Sequence, residues 1–61
     1  MITIVFAHNI GDKVRIKETG RDGVVYHLGV TNDRRNVAMV EDTSGAILGS
    51  YYEEQIERLP A

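Results

Sequence analysis

Val14-Arg15-Ile16-Lys17, then Gly20-Arg21-Asp22-Gly23, then Val24-Val25-Tyr26-His27-Leu28 is the stretch from which the architecture follows. In the first part apolar and basic residues alternate, so one face enters a core while Arg15 and Lys17 meet water. The second is a turn whose two glycines can take positive φ. The third resumes a β-branched and aromatic run. Together they predict two antiparallel strands joined by a glycine turn.

The same punctuation continues in both directions. Ile2-Thr3-Ile4-Val5-Phe6 is another β-branched and aromatic run and predicts a strand. Downstream, Thr31-Asn32-Asp33-Arg34-Arg35-Asn36 is the most polar stretch and predicts an exposed hairpin loop. Val37-Ala38-Met39-Val40-Glu41 predicts the next strand, Asp42-Thr43-Ser44-Gly45 a tight turn, and Ala46-Ile47-Leu48-Gly49 the strand that pairs back. Ser50-Tyr51-Tyr52-Glu53 fits the S-x-x-E capping box, so Ser50 is expected to cap one helical or 3₁₀ turn. Ile56-Glu57-Arg58-Leu59 alternates again before Pro60, and a longer helix over residues 51–59 is the rival reading. The expected fold is all-β, a small barrel of five or six short strands with one helical turn before the last.

Composition bounds what such a chain can do. Its 61 residues, 43 % of them apolar and with no low-complexity tract, make one domain over residues 1–61. A chain of this length buries only about 60 % of its unfolded surface. Small domains often add disulfides or a metal, yet there is no Cys and only two His, His8 and His27. Disulfides are excluded and structural zinc is not expected. The net charge of −2 argues against a dedicated nucleic-acid binder. The longest apolar run is far shorter than the ~20 residues of a membrane span, and no basic leader precedes it. A cytoplasmic protein without cofactor is the expectation.

Gly11-Asp12-Lys13-Val14-Arg15-Ile16, Gly20, Gly23-Val24-Val25, Glu41-Asp42 to Gly45, and Tyr52 to Ile56-Glu57-Arg58-Leu59 resemble the SH3-like barrel of small bacterial and phage domains. The likeness spans about residues 10–59. Within it, Val14 to Lys17 and Gly20 to Val25 look like the KOW element, in which a glycine turn joins two strands that touch RNA or protein. A weaker resemblance is to the plasmid-borne type II dihydrofolate reductases, whose opening matches Gly11 to Arg15 with Lys17, and whose end matches Tyr51 and Ile56-Glu57-Arg58-Leu59. Their pore motif Val-Gln-Ile-Tyr reads Leu48-Gly49-Ser50-Tyr51 here, without the glutamine, so reductase activity is not carried over.

Candidate binding residues fall in two sets. Arg15, Lys17, Arg21, Arg34 and Arg35 are five of the seven basic residues. If they converge on one end of the barrel they could hold phosphates, with Tyr26 or His27 stacking on a base. The ordinary alternative is solvated charge paired with Glu18, Asp22, Asp33 and Glu41. Tyr26, Tyr51 and Tyr52 form the second set, suited to lining a groove for an extended peptide, with one of the adjacent pair Tyr51 and Tyr52 facing the core. His8 and His27 lack a partner at catalytic spacing and read as ordinary surface. Glu53, Glu54 and Glu57 read as a solvated acidic face.

The expectation is a non-enzymatic binding module acting through Arg21, Arg34, Arg35 and the tyrosines, with a protein as first choice of partner. KOW-like nucleic-acid contact is the alternative. From another class comes a tetrameric reductase-like enzyme with Lys17 and Tyr51 facing a pore, and a third reading makes the domain a part of a larger assembly. The apolar strand over residues 2–6 invites edge pairing with a second chain, hence a homodimer.

Overall fold

Alternation fixes the first strand of the computed structural model, which describes residues 5–60. Along β1 (Lys13–Ile16), Val14 and Ile16 are buried while Lys13 and Arg15 are exposed, the period of two that a strand with one solvated face requires. A turn closed by the Gly20 amide on the Ile16 carbonyl (2.7 Å) leads into β2 (Asp22–Val30). The polar loop is a tight turn in which Thr31 N–H meets the Arg35 carbonyl at 2.9 Å and Arg34 takes a positive φ of 64°. β3 (Asn36–Glu41) and β4 (Ile47–Tyr52) follow, then a 3₁₀ turn (Glu53–Gln55) and β5 (Ile56–Arg58).

All pairings are antiparallel and the strand order is β4-β3-β2-β1-β5. The first four strands are a meander, and the fifth returns beside the first, with Ile56 opposite Ile16. Two register shifts bend the sheet, one between Val25 and His27 of β2 and one between Val40 and Glu41 of β3. Val14, Ile16, Val25, Ala38, Val40 and Ile56 form the core, with Leu28, Leu48 and Tyr51 packed against it.

Several expectations are corrected. The sheet is not closed, because β4 and β5 are its two edges and do not pair with each other. Of the strand expected over residues 2–6, residues 2–4 lie outside the described ones, and Val5 and Phe6 are not in a strand. The backbones of Val5 and Ala7 are engaged by side chains instead, as described below. The helix over residues 51–59 does not form, since Tyr51 and Tyr52 continue β4 and Ile56 is needed in the core. Ser50 does not cap the turn; it pairs with Met39 in the ladder. The turn is braced two residues later, where the Tyr52 N–H donates to Gln55 Oε1 at 2.8 Å. Gly20 has the expected positive φ of 73°, but Gly23 does not. It sits in β2 opposite Val14, where a Cβ would lie 2.6 Å from both the Glu41 carbonyl oxygen and Val40 Cγ1.

Candidate functional site

The basic residues divide between the two ends of β2. Arg21 precedes its first residue and Arg34 and Arg35 follow its last, so the whole of β2, up to roughly 26 Å of strand path, lies between them. At the first end Arg15 Nε lies 2.8 Å from Asp22 Oδ1, and Arg21 is 3.9 Å from Asp42 of the β3–β4 turn. The Arg15 hydrogen bond holds the Asp22 carboxyl below its ordinary pKa. Asp42 Oδ1 accepts from the Ser44 hydroxyl (2.6 Å), the Ser44 N–H (2.9 Å) and the Ala46 N–H (3.0 Å). These bonds, the Ser44 hydroxyl first, lower its pKa as well. At this end each arginine faces a carboxylate in an exposed pair, and the turn is capped by Asp42.

A pH dependence follows. A carboxylate whose folded pKa lies below its unfolded value contributes stability that is complete above the unfolded value of about 3.9 and is lost as pH falls through the folded one. Urea midpoints are therefore expected to drop below about pH 4 on account of Asp22 and Asp42. Asp42→Asn keeps an Oδ1 acceptor for Ser44 and Ala46 and removes the titration. Its midpoint should match the parent near pH 3 more closely than it does at pH 7, and an unchanged acid limb in this variant would exclude Asp42 from the effect.

The second end carries a platform. The Arg35 guanidinium carbon stands 3.6 Å from the centre of the Tyr52 ring, a cation–π stack, and its Nη2 pairs with Glu54. Lys17, in the turn after β1, is joined to the same region through its N–H, which donates to the Gln55 carbonyl at 3.0 Å. Arg34 lies at the tip of the adjacent turn and is exposed. Of the eight candidates, Arg34, Arg35 and Tyr52 are thus grouped around the β2–β3 turn, while Arg15, Lys17 and Arg21 belong to the β1–β2 hairpin, from which only the Lys17 backbone reaches the 3₁₀ turn. Tyr51 is the inward member of the tyrosine pair: it packs on the core and its hydroxyl donates to the Leu48 carbonyl at 3.1 Å. Tyr26 is half-buried at the β2 irregularity.

Three side chains that the sequence reading did not count among the binding residues, Asn36, Glu53 and Arg58, complete this surface. Asn36 Nδ2 donates to the Val5 carbonyl at 2.8 Å and to Glu53 Oε1 at 3.1 Å. The other Glu53 oxygen accepts the Ala7 N–H, and Arg58 Nη2 donates to the Ala7 carbonyl at 3.2 Å. The segment over residues 5–8 is thereby strapped from β5 past the 3₁₀ turn to the start of β3. Val5 and Ala7 are exposed, Phe6 is half-buried and His8 is only 7 % exposed. His8 is therefore buried, not surface, and among the described residues its Nδ1 has no hydrogen-bond partner. Glu53 is half-buried, unlike the exposed Glu54 and Glu57 beside it. No local motif announces these bonds, because they join side chains to backbone 31 to 51 residues away.

A shallow cleft of about 520 Å³ lies between Gly11, Asp12, Lys13, Arg58, Leu59 and Pro60. Its one ion pair, Arg58 with Asp12 at 3.5 Å, is a bridge across the rim. Among the described residues no group of three or more His, Asp or Glu is arranged to hold a metal, and no helix is long and apolar enough to cross a membrane. The chain matches no protein-family model, no curated protein and no solved structure, so the functional reading rests on the geometry of the surface around Tyr52.

Proposed function

We propose that this chain is a small non-catalytic protein-binding module of SH3-like type that engages a partner polypeptide at the Arg35–Tyr52 platform. The fold-type reading is supported by the meander order, the return of the fifth strand beside the first and the 3₁₀ turn before it. The observation that carries the function is that the surface beside the Arg35–Tyr52 stack already holds a polypeptide segment through its backbone C=O and N–H groups. Stacked arginine and tyrosine are the side chains that most often dominate a protein interface. The reading asks for no cofactor. Protein is favoured over nucleic acid because the cations are divided between two ends and Arg15, Arg21, Arg35 and Arg58 are each opposed by a carboxylate.

The test is a binding screen of the immobilised full chain against a peptide array, repeated with Tyr52→Ala, Arg35→Ala and the control Arg21→Ala. A specific binder should lose about 30-fold or more in affinity with either platform variant, the ~2 kcal/mol of an interface hot spot. Arg21→Ala should retain it. Binding that survives both platform variants would place the interface elsewhere. An RNA or DNA affinity falling steeply with salt would replace the protein reading.

A further inference from the structure

We infer that residues 5–8 are an internal occupant of the module's own peptide site, and that its partner is a segment of another protein with an aromatic residue in the place of Phe6 and an apolar one in that of His8. The inference rests on the protein-binding reading above and specifies which peptide chemistry the site takes and what controls it.

The way the segment is held points to this. Asn36 and Glu53 contact the carbonyl of residue 5 and the N–H of residue 7, groups two residues apart that face one way where the backbone runs straight, just before it bends at Ala7 and His8. An amide donor and a carboxylate acceptor on one edge do what a neighbouring strand does when a peptide adds to a sheet. Bonds to backbone atoms are indifferent to side chains, so another segment following the same backbone path can make all of them. Selectivity is left to the two inward positions, Phe6 and His8, which alternate with the exposed Val5 and Ala7.

The occupant is also imperfect. His8 Nδ1 is buried with no hydrogen-bond partner among the described residues, and release of the segment would return that atom to water. A partner with leucine in that position would bury no orphan polar atom. The Val5 side chain, on a residue 75 % exposed, adds little packing to the hydrogen bond its carbonyl makes. Since the tether gives the internal segment an effective concentration on the order of millimolar, an added peptide competes poorly until the tethered copy is weakened.

The experiment uses the full chain and two labelled peptides, one with the sequence of residues 2–9 and one with leucine replacing its histidine, titrated by fluorescence anisotropy. Into Phe6→Ala, whose own segment has lost its aromatic anchor, both peptides should bind at least about tenfold tighter than into the parent, the leucine peptide more tightly of the two. Adding Glu53→Ala to that variant should abolish the gain. Phe6→Leu, which keeps an apolar side chain, should give a smaller gain in the same direction and serves if Phe6→Ala fails to fold. A folded Phe6 variant that binds neither peptide better than the parent overturns the inference, while an array binder still sensitive to Tyr52→Ala leaves the protein-binding reading intact. Concentration-dependent dimerisation of the Phe6 variants in place of peptide binding also overturns it, by assigning the site to a second copy of this chain.

Discussion

Gly23→Ala is expected to lose about 1–3 kcal/mol of folding stability, the loss typical of overpacking, and to fall at the upper end of that range. A domain of 61 residues holds about 3–9 kcal/mol in total at 0.05–0.15 kcal/mol per residue, so this variant should be largely or wholly unfolded well below the parent's thermal midpoint. The cause is local and steric. The added carbon would meet the Glu41 carbonyl oxygen and Val40 Cγ1 at 2.6 Å, and Leu48 Cδ1 at 3.2 Å. The carbonyl belongs to the β3 backbone, and moving it separates β2 from β3 where Val24 pairs with Glu41. Gly29→Ala is the control, because its nearest neighbour would be Val37 Cγ2 at an ordinary 3.7 Å. Urea titration followed by circular dichroism decides it. A Gly23→Ala midpoint within error of Gly29→Ala would mean that β2 and β3 are not so close at this point.

Ile16→Ala should cost about 2–5 kcal/mol, and Ile47→Ala less than about 0.5 kcal/mol. The chemistry removed is the same at both positions and only burial differs. Ile16 is 1 % exposed in the middle of the core, whereas Ile47 is 70 % exposed at the start of the edge strand β4. Ile16 carries a second burden, since β5 has three residues and joins the sheet only through β1, with Ile56 opposite Ile16. The cavity therefore opens where the last strand is attached, and amide exchange of Ile56 and Glu57 should accelerate beyond the global loss. Equal destabilisation by the two substitutions would contradict the placement of the core on the β1 face.

Much of the fold is legible in residues a few positions apart. The alternation of Val14 and Ile16 with Arg15 predicts the β1 face, Gly20 the first turn, and Asp42 to Gly45 the third, where Asp42 caps through its own carboxylate. Strand lengths are less secure. β2 begins two residues before Val24 because Gly23 can lie against β3, and β4 continues to Tyr52 because Tyr51 is anchored on Leu48 and the core. The candidate site is legible only in part. Arg35 and Tyr52 are visible as residue types, but their stacking across 17 positions is not.

By itself the sequence determined the all-β class, the turn positions and the inward face of β1, Val14 and Ile16. Side-chain alternation and turn preference act between neighbours in the chain, so the chain order displays them. Only the tertiary structure decided that β4 and β5 stay apart, that Arg21 and Arg35 lie at opposite ends of β2, and that residues 5–8 are strapped by Asn36, Glu53 and Arg58. Those outcomes depend on which edges and side chains meet after the sheet has bent, a contest among distant groups that no local pattern records.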